Sequence, residues 1–442
     1  MRLDRHDSYL TTFQATVVEA RRSERGLWLR LDRSAFYPTA GGQPHDTGTL
    51  EAAGHAYPVV DVEVEGDSVW HLLGAAPGAA APGAGAPGAG APGAGAPGAG
   101  ASSAAASSAA DPGADPSAGP AVGAAVTGRI DWARRYRHMQ RHTGQHLLSQ
   151  ALVRVSPDYG TRSVSMRGPD CTIDFGGEVD DAALAAVERE VNAAARRAHV
   201  VTTFEVEEER LPEYRLRRPA QVGGLVRLVA IGDYDLVACG GTHLKSSAEA
   251  LPIKVLGVEK VKGGLNRLTF RAGEEALADY ALKHEATTRL GVALSVPVAE
   301  VVERVERLRE ELAEQGRELA AARAAQAAAL AERLAAGAEQ GYLSAYLGEA
   351  EAALFDALVD ALQRRPGTVS LLAAHDGEKA RFAFLTGPGV ELDVRPALRA
   401  ALEPLGGRGG GRPDRAQGAA AADREAAEAA LARALALLRA GA

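Results

Sequence analysis

A chain of 442 residues is long enough for two or three domains, and a hydrophobic content of 46% can fill their cores although aromatics are only 5%. Two cysteines exclude a disulfide scaffold and point to a reducing compartment. The N-terminus lacks the apolar core of a signal peptide and no apolar run is long enough for a bilayer, so a cytoplasmic protein without membrane contact is expected. A net charge of −8 argues against broad coating of nucleic acid and leaves any such contact to local basic clusters.

In chain order, short strands are expected at Phe13–Glu19, Gly26–Leu31, Tyr57–Val64 and Ser68–Leu73, separated by Gly, Pro and Asp turns. They predict a small β-barrel over residues 1–126. A tract from about 74 to 125, built of Ala-Pro-Gly-Ala-Gly repeats and then Ser, Ala, Asp and Pro, has no side chains with which to bury a core and is expected to be a disordered insertion. Residues 127–272 read as an α+β domain: a strand from Gly128 to Trp132, a helix, strands at Ser163–Met166 and Cys171–Phe175, a helix over 180–198, and further strands to Ala238. Residues 273–340 read as a long helical arm, with Val301, Val305, Leu308, Leu312 and Leu319 at heptad-like spacing; a simple arm and a dimerising hairpin fit equally well. Residues 341–442 read as a small α/β domain with strands Thr368–Ala373 and Arg381–Leu385, a helix, a glycine-rich loop over 406–418, and a final Ala/Leu helix. The fold class is therefore α+β: barrel, metal-containing core, helical arm and small C-terminal domain.

Two short motifs carry the chemistry. His142-Thr-Gly-Gln-His146 places two imidazoles at i and i+4, on one face of a helix. Cys239-Gly-Gly-Thr-His243 brings a thiolate and a third imidazole, with glycines that let the backbone turn tightly. Three imidazoles and one thiolate suit a tetrahedral zinc ion, Zn2+. Either pair alone reads as ordinary core or surface residues; the two pairs in one chain point to a shared site. Arginines cluster nearby, at 129, 134, 135, 137 and 141 before the first motif and at 215, 217 and 218 before the second. A further set, Arg408, Arg412 and Arg415, lies in the glycine-rich stretch. Such clusters are either solvated faces or phosphate anchors.

The paired motifs resemble the editing domain of alanyl-tRNA synthetases and their freestanding AlaX relatives. Phe36-Tyr-Pro-Thr-Ala-Gly-Gly-Gln-Pro-His-Asp-Thr-Gly48 resembles the Gly-Gly-Gln segment preceding that core, and Gly406–Gly418 resembles the glycine-rich loop of the DHH-associated domain. No stretch resembles an aminoacylation core, an ATP site or an Asp-His-His motif, an arrangement similar to the long AlaX form. The Ala-Pro-Gly insertion departs from the family pattern, and Gln145 stands where members vary.

The resemblance implies an aminoacyl-tRNA deacylase that cleaves the ester of Ser-tRNA(Ala), with Gly-tRNA(Ala) as a second substrate, without a covalent intermediate. A synthetase pocket for alanine cannot exclude glycine and rejects serine only ~100-fold, whereas a second site that hydrogen-bonds the serine hydroxyl discriminates far better. Thr39 is the candidate for that contact; its alternative is a residue at a strand end. Gly41 and Gly42 would admit the substrate closely, and Gln43 would contact the ester or terminal ribose. His142, His146, Cys239 and His243 are the expected zinc ligands, with Asp174 or Asp235 behind an imidazole. Arg408, Arg412 and Arg415 would bind tRNA, and a homodimer could form through the arm or the C-terminal domain. Four protein ligands make a closed site, which usually reads as structural, so a catalytic zinc and a purely structural one both remain open. Competing functions are a non-catalytic tRNA-binding protein and a threonyl-tRNA-type editing domain.

Overall fold

The computed structural model describes residues 1–66, 68–74, 119–221, 223–377 and 379–440, so the expected disordered insertion lies almost wholly outside the described residues. The chain divides into two compact units, Met1–Ala286 and Thr287–Ala442. Helices and sheets mix in both.

In the first unit, strands β1 (Thr12–Ser23), β2 (Gly26–Leu31), β3 (Gly48–Ala52), β4 (His55–Glu65), β5 (Ser68–Leu73) and β6 (Ala125–Ile130) close into an antiparallel barrel in the order β1-β2-β5-β4-β3-β6. Every second residue of the start of β1 (Phe13, Ala15, Val17) is buried, the period of two that a half-buried strand requires, and these meet Leu29, Leu50, Val59 and Val62 inside. Strand β3 lies outside the expected strands, and the expected boundary at 126 falls inside β6. That strand pairs with both β1 and β3, so the barrel closes only with residues up to Ile130.

Helix α1 (Trp132–Val155) follows at once. Trp132, expected at a strand end, is helical because Asp131 caps the helix by accepting a hydrogen bond from Arg134 N. Its Leu147, Leu148, Ala151 and Leu152 enter a core with Ile173, Phe175, Leu268 and Phe270. After it come β7 (Thr161–Ser165), β8 (Cys171–Phe175), α2 (Asp181–Arg196), β9 (Val201–Glu207), β10 (Leu225–Ile231), β11 (Asp235–Ala238), β12 (Ile253–Val261) and β13 (Leu265–Ala272). They form a four-stranded sheet, β12-β13-β8-β7, and a three-stranded one, β11-β10-β9. Helix α3 (Glu274–Leu294) begins in this unit.

Two sets of contacts tie the loop before β3 and the N-terminal segment to α1, to β10 and to the stretch after β11. Arg135 and Asp46, both fully buried, form an ion pair, and Arg135 also donates to Ala35 O at 2.6 Å and Ser8 O at 2.8 Å. Arg227 Nε donates to Arg5 O at 3.2 Å, His243 N to Ser8 Oγ at 3.3 Å, and Tyr9 OH to Glu249 at 2.7 Å.

In the second unit, α4 (Val301–Ala335), β14 (Tyr342–Glu349), α5 (Ala352–Gln363), β15 (Val369–His375), β16 (Ala380–Thr386), α6 (Arg395–Leu402), β17 (Arg408–Arg412), β18 (Arg415–Ala420) and α7 (Arg424–Ala440) build a five-stranded sheet, β14-β15-β16-β18-β17. Alternate residues of β15 and β16 serve the two faces: Leu371, Ala373, Phe382 and Phe384 pack with α6 and α7, while Leu372, Ala374, Ala383 and Leu385 pack with α4 and α5. The helical arm is not continuous over 274–337. It breaks between α3 and α4, where Ser295 takes a left-handed φ of 54° and Pro297 follows. Along the heptad-like seam Val301 is buried and Leu308 half-buried, but Val305, Leu312 and Leu319 are exposed. The stretch 406–418, expected to be a loop, is largely a hairpin at the sheet edge: glycine lowers strand propensity, but β18 supplies the full ladder. Among the described residues no helix is long and apolar enough to cross a membrane.

Candidate metal centre

One face of α1 carries His142, Gln145, His146 and Ser149, the i, i+3, i+4 and i+7 positions of a helix. The turn after β11 supplies Cys239 and His243. One ligand atom from each of His142, His146, Cys239 and His243 falls within 4.8 Å of the others. Cys239 Sγ lies 3.4 Å from both His142 Nε2 and His243 Nε2. Zinc–sulfur and zinc–nitrogen bonds of tetrahedral sites set that edge at about 3.6 Å, so the donor set fits such an ion.

The glycine of this turn nearest the cluster is there for space. A Cβ on Gly241 would stand 2.1 Å from His142 Cε1, so any side chain would push the imidazole away. Arg227 holds the turn from behind, its Nη1 donating to Cys239 O at 2.8 Å and to Gly241 O at 3.0 Å.

The outer nitrogens of the imidazoles are also arranged. His142 Nδ1 donates to Gln43 Oε1 at 2.8 Å, because an amide oxygen can only accept; this leaves Nε2 with its lone pair toward the cluster. Gln43 Nε2 donates in turn to Thr242 Oγ1 at 2.8 Å. His243 Nδ1 lies 3.2 Å from Thr143 Oγ1. His146 Nδ1 faces Asp235 Oδ2 at 3.6 Å, beyond hydrogen-bond length, and Asp235 is held by Arg217 Nε at 2.7 Å. Of the two aspartates considered behind an imidazole, Asp235 is the one that faces a ligand; Asp174 pairs with Arg267 and Ser163 instead.

Electrostatics favour the metal-binding forms. Burial pushes His142 down to about 3 and His243 to about 4, and holds His146 well below the usual imidazole range, so all three are neutral at neutral pH. Burial alone would raise the Cys239 thiol, but the hydrogen bond and charge of His243, the Gly241 N–H and Arg227 outweigh it and lower its pKa. Cys171, the other cysteine, is pushed up to about 12 by burial and is inert.

The cluster opens on a cavity of about 370 Å³ lined by His142, His146 and Cys239, by Tyr37, Gly41, Gln145 and Thr161, and by Arg2, Arg5, Arg217 and Arg218. Two of these arginines are engaged, Arg2 with Asp4 and Arg217 with Asp235. Arg5 and Arg218 are exposed, and neither guanidinium has an ion-pair partner among the described residues.

The substrate-contact expectations distribute unevenly. Gly41 lines the cavity, and Gly42 sits behind it in a left-handed turn with φ 83°. Gln43 is fully buried and its amide is consumed by His142 and Thr242, so it braces a ligand rather than meeting solvent. Thr39 is exposed, accepts from His45 N at 3.1 Å, and is not among the cavity-lining residues. Gln145, named in the sequence without a role, lines it from between the two histidines of α1, and Thr161 lines it because β7 passes beside α1, which nothing in the sequence signals. The arginines before the first motif are mostly spent internally: Arg129 on Glu51, Arg134 on His45 O, Arg135 on Asp46 and Arg141 on Glu275. In the second unit Arg408 and Arg412 lie on the wholly exposed strand β17, while Arg415 donates to Asp360 at 2.6 Å.

Residues 226–269, from β10 through the metal turn into β13, match the family described as "Threonyl and Alanyl tRNA synthetase second additional domain". The chain is 30% identical to an alanine–tRNA ligase of Pyrococcus abyssi over 93% of its own length and 41% of the ligase, and 32% identical to that of Pyrobaculum calidifontis over 97% and 43%. It thus spans about two fifths of the ligases it matches. A relative of matching size, the alanyl-tRNA editing protein AlaX-L of Pyrococcus horikoshii, is 28% identical over 93% of this chain and 92% of its own. The chain therefore resembles, along nearly its whole length, an alanyl-tRNA editing protein of the AlaX-L type.

Proposed function

We propose that the chain hydrolyses the ester of mischarged tRNA(Ala), releasing serine and, second, glycine. The observation that carries this reading is a four-donor cluster at the floor of a small cavity, in a chain that resembles an alanyl-tRNA editing protein. A volume near 370 Å³ is at the small end for ligand sites and suits an aminoacyl-adenosine end rather than a larger part of a tRNA. Exposed Arg5 and Arg218 at the cavity would anchor the adjoining phosphodiesters.

His142, His146, Cys239 and His243 would hold a zinc ion, which supplies Lewis acidity and fixed positive charge where negative charge develops on the ester. Gln43 and Thr143 orient two of the imidazoles, Asp235 faces the third, and Arg227 shapes the turn. Cys239 lies against two imidazole nitrogens and serves as a ligand, not a nucleophile; water attacks the ester directly. In the second unit Arg408 and Arg412 would meet RNA phosphates, with Arg415 bracing the hairpin through Asp360. The exposed Val305, Leu312 and Leu319 of α4 would support a homodimer. Deacylation assays with Ser-, Gly- and Ala-tRNA(Ala), run beside Ser-tRNA(Thr), test the reading. Release of serine and glycine from tRNA(Ala) supports it; release from Ser-tRNA(Thr) alone would assign the site to the threonine system, and no release would leave a binding protein.

A further inference from the structure

We propose that Gln145 reads the side-chain hydroxyl of the esterified amino acid, as a specificity-determining residue of the site just described; the inference rests on the deacylase reading. Gln145 stands between ligands His142 and His146 on the same face of α1, is 5% exposed, and lines the cavity. Its Nε2 donates to Ser149 Oγ at 2.7 Å, one turn further along the helix. Thr161, on β7, donates to the same oxygen at 2.9 Å and lines the cavity too. This chain fixes the amide from behind. It leaves Oε1, which makes no hydrogen bond among the described residues, as an acceptor beside the metal cluster. A serine hydroxyl fills that acceptor. An alanyl methyl leaves it unpaired in a confined cavity, a penalty that falls on the correct ester and spares it from hydrolysis.

The test measures kcat/KM on Ser-, Gly- and Ala-tRNA(Ala) for the unaltered chain, Gln145→Met, Ser149→Ala and Thr39→Val, with bound zinc counted in each. Gln145→Met keeps the volume and removes the acceptor; it should lower the serine-to-glycine ratio roughly tenfold with zinc unchanged. Ser149→Ala should move the ratio in the same direction by less, because the amide is then free to turn. Equal loss on all esters, an unchanged ratio, or a ratio moved by Thr39→Val alone overturns the inference while leaving the deacylase reading in place. If the unaltered chain hydrolyses none of the esters, the functional reading fails and this inference fails with it.

Discussion

The metal centre and the arginine hairpin of β17 and β18 were both expected from short motifs, and the structure treats them in opposite ways. At the candidate metal centre every anticipated ligand is at least half-buried; Gln43 and Thr143 hold two imidazoles, Arg227 clamps the turn that carries Cys239, and Asp235 faces His146 at 3.6 Å. In the hairpin all five residues of β17 are exposed, and of three anticipated arginines Arg415 is tied to Asp360 and Arg412 lies 3.5 Å from Asp414 at the surface. Convergent donors are over-determined by bond geometry, so four residue types at the right spacing almost dictate their neighbours. Arginines on a surface have many partners to choose from, and their spacing alone says little about which are free.

That contrast can be broken in several ways. Replacing a ligand, as in His146→Ala, should abolish stoichiometric zinc and reduce deacylation by orders of magnitude, read by metal analysis and serine release; retention of zinc would show that three donors suffice. Asp46→Ala leaves the Arg135 guanidinium buried and unpaired and should destabilise the first unit by about 3–5 kcal/mol in urea unfolding. Gln43→Leu removes the outer partner of His142 together with the bonds to Thr242 and should weaken zinc about 10- to 100-fold with the fold retained; unchanged affinity would refute the bracing role.

Acid should also act through buried imidazoles outside the four-donor cluster, one in the barrel and one a turn before His142 on α1. Burial lowers His71 to about 4, and burial followed by the surrounding arginines lowers His138 to about 3, against an ordinary 6.5. The unfolded chain takes up these protons first, so stability is full above pH 6.5 and is lost as pH falls toward 4 and 3, at ~1.4 kcal/mol per unit for each group. Unfolding curves at pH 7, 5.5 and 4.5 read this; a stability that rose on acidification would contradict it. The smallest effect belongs to the hairpin: Arg408→Ala with Arg412→Ala should lower the salt slope of tRNA binding by about 2 and leave the cleavage step untouched.

What was legible follows the same physics. The i, i+4 pair and the Cys-Gly-Gly-Thr-His turn are local patterns, so the donors could be named, and the alternation of β1 and β4 gave a barrel. The identity of the group behind each imidazole was not local. Asp235 and Asp174 look alike as residues near a motif, and only the three-stranded sheet turns one of them toward His146. Thr39 and Thr161 differ likewise, since which threonine borders the cavity depends on where β7 runs. Strand β14 shows no period of two, with Leu343 alone buried among half-buried and exposed positions, and β17 gives none because glycine carries no strand signal.

The attachment of the first nine residues carries a practical consequence. Arg5, Ser8 and Tyr9 precede the barrel, yet their bonds run to Arg227 behind the Cys239–His243 turn, to His243 itself, to Glu249 beyond it and to Arg135 on α1. A shortened version trimmed to the first strand would keep a closed barrel and forfeit these stitches. A fragment meant to keep the donor cluster in place must therefore retain Arg5, Ser8 and Tyr9 as well as the barrel.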